Sequence, residues 1–179
     1  AGGDNNDDAN VSCSGTLTGG LTLNKSAATA NTTFTGNCTI TGNFIRTDGP
    51  ILNSASALTL TIQGDFTSST TDDFGGANMT VEFSGSSAQT ITQNAIPTTN
   101  TSLFAVNKSS NTVTLATAVT LGSTLTITAG TLDQGATQFT DLTTGAITVS
   151  SGATLSNTGT GDLLLSGNVS NSGTITMNG

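Results

Sequence analysis

Histidine, tryptophan and tyrosine are absent from this 179-residue chain, and lysine and arginine together number 3. Each absence excludes something. Without His, the commonest general base and metal ligand is missing. Without Trp or Tyr, the large flat rings with a polar edge that usually stack on sugars are missing. Three cations against 11 Asp and Glu leave a formal net charge of −8. Such a surface cannot neutralise a run of phosphates, so nucleic-acid binding is excluded. Charged residues make up 8% of the chain, where an ordinary globular protein has about 25%. No run approaches the roughly 20 apolar residues of a membrane helix, so no membrane insertion is expected. Proline occurs twice, and Phe is the sole aromatic type.

Gly, Asn, Ser and Thr fill more than half the chain. Disordered chains are usually rich in charge and Pro and poor in β-branched residues. Here the reverse holds, and the apolar residues are regularly placed. The chain reads as folded, all-β and, by length, one domain.

Internal repeats decide the architecture. Leu17-Thr18-Gly19-Gly20-Leu21, Ile40-Thr41-Gly42-Asn43-Phe44 and Ile62-Gln63-Gly64-Asp65-Phe66 start 23 and 22 residues apart. Phe83-Ser84-Gly85 reads as a degraded copy, and Leu165-Ser166-Gly167-Asn168-Val169 as a late one. Ile127 to Gly130 matches Val149 to Gly152 at an offset of 22, and Ile91 and Val113 are also 22 apart. Between these marks the chain alternates, as in Leu58-Thr59-Leu60-Thr61-Ile62. Alternation with period two buries one face of a strand and wets the other. No segment shows helical periodicity.

Short strands repeating near 22 residues predict a parallel β-solenoid (β-helix) with about 20–23 residues and two or three strands per turn, roughly 8 turns in all. Inward residues then form ladders, with Phe44 over Phe66 and Ile40 over Ile62. The rival is an antiparallel β-sandwich, which has short alternating strands but needs no such period. Residues 1–12 read as a flexible or junction-forming arm and 13–179 as the solenoid. Residues 94–111, with Pro97 and Lys108, read as a loop.

Cys13 and Cys38 fit one disulfide stapling the first turn to the second, in an oxidising, extracellular setting. If Leu17 stacks on Ile40, then Cys38 lies over Gly15. A flat strand would then hold the two Cα atoms about 8 Å apart, beyond the usual limit of about 7 Å. The chain must therefore bend near Ser12–Ser14. Ala1-Gly2-Gly3 has the small residues of a mature start after signal cleavage.

Phe83 to Ile91, Val113-Thr114-Leu115, Leu125 to Leu132 and Ser151 to Asn157 resemble the repeats of secreted bacterial parallel β-helix surface proteins. These are the filamentous-haemagglutinin-like and autotransporter-passenger-like adhesins. The looser repeat covers most of residues 13–179. The resemblance implies an extracellular, cell-surface role in adhesion, matrix or biofilm, with host or neighbouring cell surfaces as partners.

Candidate chemistry is thin. Asp4, Asp7 and Asp8, and the adjacent pair Asp72-Asp73, offer oxygens to calcium, but without calcium-loop spacing. No other cofactor is expected. Polysaccharide lyases on this fold need a basic cleft, and Lys25, Arg46 and Lys108 lie far apart, so no enzyme is expected. Asn-X-Ser/Thr sequons stand at Asn10, Asn24, Asn31, Asn37, Asn78, Asn100, Asn107 and Asn168, barely above chance for so Thr-rich a chain. Thr-X-Thr pairs at Thr16/Thr18, Thr39/Thr41, Thr59/Thr61, Thr90/Thr92, Thr112/Thr114, Thr124/Thr126/Thr128 and Thr174/Thr176 suggest a flat face for ice or glycan. Thr80-Val81-Glu82 and Gln63 interrupt it. Thr174 to Met177 reads as a strand with nothing to cover its edge, and an open edge is a template for further pairing. The leading expectation is a homopolymer: subunits of a surface filament or adhesive fibre joined end to end, residues 1–12 lying across the joint. The alternative is a monomeric binding module.

Overall fold

Alternating Thr and aliphatic residues give strands with one dry face, and corner glycines turn the chain every few residues. The computed structural model describes residues 9–11, 13–24, 32–49, 51–53, 57–70, 79–93, 103–121, 123–135 and 142–178. Within them every strand pairing is parallel, and no helix is present. The fold is the expected all-β parallel solenoid.

The coils have three sides. The first side stacks Gly15–Leu17, Cys38–Ile40, Leu58–Ile62, Met79–Gly85, the openings of Leu103–Leu115 and Leu125–Asp133, then Ile147–Val149 and Val169–Asn171. The second side begins with Leu21–Asn24, Phe44–Asp48, Phe66–Ser68 and Gln89–Gln93. It continues through the ends of the same two long strands to Thr154–Asn157 and Thr174–Met177. A third side is described in six coils, as Ala9–Val11, Thr32–Phe34, Ile51–Asn53, Val119–Thr120, Leu142–Thr144 and Leu163–Leu165.

The predicted ladders are present: Leu17 lies over Ile40, Ile40 over Ile62, Ile62 over Phe83 and Phe44 over Phe66. Phenylalanine stacking crosses from side to side inside the coil. Ring centroids are 5.6 Å apart for Phe44–Phe66, 6.1 Å for Phe66–Phe83 and 6.0 Å for Phe83–Phe104. Leu58, Leu60 and Ile62 are buried while Thr59 and Thr61 are half-exposed, as period two requires.

Cys13 and Cys38 are joined, with Cα atoms 5.3 Å apart. The expected bend is there: Gly15 takes a φ of 150° next to a bend at Ser14, which brings Cys13 back toward Cys38.

Four readings change. Within the expected arm 1–12, Ala9–Val11 is a strand paired with Thr32–Phe34, because it supplies the third side of the first coil. Residues 1–8 lie outside the described residues. Of the expected loop 94–111, residues 103–111 belong to the 13-residue strand Leu103–Leu115, and Pro97 lies outside the described residues. This strand rounds a corner at Asn111, whose φ is 63°, a conformation Asn tolerates. Ile91 pairs with Leu115 rather than Val113, a step of 24 residues, because the first-side step is already 23 (Gly85 to Lys108) and the corner that follows is longer by one residue. Finally, Leu165 to Val169 turns from the third side to the first, whereas the three earlier copies of its motif turn from the first to the second. Both corners span the same length, so the same small residues suit both.

Candidate functional site at the solenoid ends

Inward positions are dry wherever a coil has a neighbour on each side. Ile147 and Leu155, in the penultimate coil, are fully buried. Val169 stacks on Ile147 and Ile175 on Leu155, but nothing described covers them in turn. Val169 is 47% exposed and Met177 40%. Leu163 and Ile175 are half-buried against the core. Among the described residues, Leu163–Leu165, Val169–Asn171 and Thr174–Met177 each pair along one edge only. At the other end Leu17, Leu21 and Leu23 are likewise half-buried. Among the described residues, both outermost coils thus present inward-facing aliphatic side chains beside strand edges that pair on one side only.

Two of the three cations are inside the coil. Arg46 is 0% exposed; its Nε donates to Gly49 O at 3.0 Å and its Nη1 to Ser68 Oγ at 3.4 Å. Lys108 is 2% exposed; its Nζ donates to Ser87 O and Gln89 Oε1 at 2.7 Å each and to Ser84 O at 3.4 Å. Gln89 in turn donates through Nε2 to Ile62 O at 2.9 Å and Gly64 O at 2.7 Å. Desolvation pushes the Lys108 ammonium below the usual lysine pKa. These groups close corners of the coil from within and offer no cation to a ligand on the surface. Lys25 lies outside the described residues. A faint signal was available: Phe104, Val106 and Lys108 share one face of a period-two strand.

Asp4, Asp7, Asp8, Asp72 and Asp73 lie outside the described residues. Among the described residues no three His, Cys, Asp or Glu side chains converge. Of the sequons, Asn24, Asn37, Asn107 and Asn168 are exposed. Asn37 Oδ1 accepts from Thr59 N at 2.7 Å, and Asn107 Nδ2 donates to Glu82 Oε2 at 3.3 Å. Asn31, Asn78 and Asn100 lie outside the described residues, as does the side chain of Asn10.

The outward threonines fall into ranks. On the first side Thr16, Thr39 and Thr61 are continuous, then Glu82 and Ala105 interrupt before Thr126 and Thr148. On the second side Thr112, Thr131, Thr154 and Thr174 form an unbroken column, and Thr114, Asp133, Ser156 and Thr176 run beside it. The middle rungs, Thr131/Asp133 and Thr154/Ser156, escape a search for Thr-X-Thr because only one member of each is Thr. Thr158 braces Asp133, donating from Oγ1 to Oδ2 at 2.8 Å.

The disulfide fits a non-cytoplasmic setting. No helix among the described residues is long and apolar enough to cross a membrane. No protein-family model matches the chain, and no curated protein or solved structure does either.

Proposed function

We propose that this protein is a non-enzymatic structural subunit of an extracellular filament or adhesive surface fibre, assembled by head-to-tail stacking of solenoid ends. The observation that carries this reading is the edge formed by Val169–Asn171 and Thr174–Met177, where, among the described residues, side chains in line with buried positions of neighbouring coils stand open, Val169 and Met177 most of all. Aliphatic side chains beside unpaired strand edges favour another coil over water. A contact between two different ends of the same molecule does not close on itself and propagates as a fibre. The disulfide and the adhesin-like repeats support a place on the cell exterior. Electron microscopy and sedimentation of the native protein test the reading: fibres are expected, and single rods at high concentration would defeat it.

A second reading rests on the unbroken column Thr112–Thr131–Thr154–Thr174. Threonines about 4.8 Å apart between coils and about 6.8 Å apart along a strand form a flat lattice that suits ice or a crystalline glycan. It predicts a soluble monomer that loses binding when Thr131 and Thr154 become Lys.

A further inference from the structure

We propose that Asn37 carries an N-linked glycan and that the polar groove beside it seats the innermost sugars. The site stands whether the chain is a fibre subunit or a monomer. Asn37-Cys38-Thr39 is a sequon on the first side of the second coil. Cys38 points inward and is buried, so period two turns Asn37 and Thr39 to the same outer face. The acceptor amide and the hydroxyl that the sequon requires thus lie side by side. The disulfide fits the non-cytoplasmic route on which such transfer takes place.

The amide is held at one atom and open at the other. Asn37 Oδ1 accepts from Thr59 N at 2.7 Å, and Asn37 O accepts from Gly15 N at 3.1 Å. Side chain and backbone are therefore fixed between the third coil and the first. Among the described residues, nothing accepts a hydrogen bond from Asn37 Nδ2. In the transfer Nδ2 gives up one proton and bonds to the anomeric carbon of a sugar. The bond from that carbon to the phosphate of an activated sugar donor breaks, and the proton leaves with the phosphate. The product keeps Oδ1 and one N–H, so the bond from Thr59 N survives and sets the direction of the first sugar.

The groove is an independent observation. Its volume is about 480 Å³, within the range of about 300–1,000 Å³ usual for small-ligand sites. Ser14, Thr16, Thr39, Thr59 and Thr61 line it beside Asn37, and none of them is charged. Each hydroxyl both donates and accepts, as sugar hydroxyls do. With no Trp or Tyr in the chain to stack on, a free glycan would bind weakly. A tethered glycan escapes that limit, because its attachment holds it over the groove at high local concentration. Cys38 also lines the groove, so a seated glycan covers the Cys13–Cys38 bond from outside. The other described sequons lack this combination. Asn107 Nδ2 is already engaged by the Glu82 carboxylate at 3.3 Å, and neither Asn24 nor Asn168 lines this groove.

Tandem mass spectrometry of glycopeptides from the protein purified from its source tests the site. Sugar mass is expected on Asn37, with Asn107 bare. An unmodified Asn37, or a glycan on Asn107 in its place, overturns the assignment. In the same host Thr39→Ser should keep the glycan and Thr39→Val should lose it; a glycan that survives Thr39→Val overturns the sequon as its cause. Glycosidase digestion tests the seat. The innermost sugars should resist release from the native protein and come off after unfolding with reductant. Thr16→Lys with Thr61→Lys, which fills the groove, should open them to release from the folded chain. Equal release from native and unfolded protein, or protection unchanged by the two lysines, overturns the seat and leaves the glycan standing.

Discussion

Gly64→Ala separates two reasons for glycine at a corner. The column Gly19, Gly42 and Gly64 turns the first three coils from first side to second. Gly64 does not take a positive φ, so its backbone would accept alanine. Space forbids it: a Cβ there would sit 2.4 Å from Gly42 C and 2.6 Å from both Gly42 O and Asn43 Oδ1. The corner would have to open by about 1 Å to restore ordinary contact. Three bonds cross that gap: Gln63 N to Ile40 O at 2.9 Å, Phe44 N to Asp65 O at 2.8 Å, and Asp65 N to Asn43 Oδ1 at 2.9 Å. Stretching all three beyond reach costs about 2–4 kcal/mol at about 0.5–1.5 each. For a chain of this size that lowers Tm by about 5–15 °C. Gly152 is the opposite case, with a φ of 81° and nothing within 4 Å of an added Cβ. Gly152→Ala should cost about 1–2 kcal/mol, and Gly152→Asn less, since Asn accepts the left-handed region. Gly64→Asn should be no better than Gly64→Ala. Urea and thermal unfolding followed by circular dichroism read all four variants. A Gly64→Ala loss no larger than that of Gly152→Ala would refute the argument from space.

Cys13→Ser with Cys38→Ser should cost about 3–3.5 kcal/mol from the freed loop, with faster hydrogen exchange confined to the first two coils; uniform loss of protection along the rod would contradict this. Phe66→Ala, between Phe44 and Phe83, should cost about 3–5 kcal/mol in the same unfolding assay, and a loss below about 1 kcal/mol would remove the ring stack from the core argument. Lys108 has a lowered pKa in the fold, so the unfolded chain holds that proton more tightly. Stability should therefore rise as the alkaline pH climbs from the folded-state pKa toward the ordinary lysine value, and Lys108→Met should remove that part of the slope in urea midpoints. Trypsin should spare Arg46 and Lys108 in the native rod and cut both after heating, as mass spectrometry of the fragments would show.

The period of the coil was legible because ladders reuse residue types: Leu17, Ile40 and Ile62 follow one another, as do Phe44 and Phe66, with few insertions between them. The cysteine pairing was legible from there being two cysteines, and the Leu17–Ile40 register, which sets Cys38 over Gly15, made the bend before Gly15 legible with it. Legibility failed where corner length changes. Ile91 and Val113 keep the average period but belong to a coil with a longer corner, so the true partner is Leu115. It failed again at Lys108, whose charge pointed to a loop although the alternation with Phe104 and Val106 runs inward. A carbonyl cage such as Ser84 O and Ser87 O is invisible before the chain folds. Of the apolar edges, only Thr174 to Met177 was legible, as a strand without a cover; the half-buried Leu17, Leu21 and Leu23 show only once the coils are stacked.

Parallel stacking also fixes how the rod bears load. The hydrogen bonds between coils run along the axis, so a pull on the two ends opens them one after another instead of shearing many at once. Each coil that peels away releases about 22 residues, or about 70–80 Å of slack chain, from a rise of about 4.8 Å. Under tension the rod is a string of small, separate yield points that pay out length instead of snapping. The Cys13–Cys38 bond removes the first of these steps from the series, because the chain between the two cysteines cannot extend.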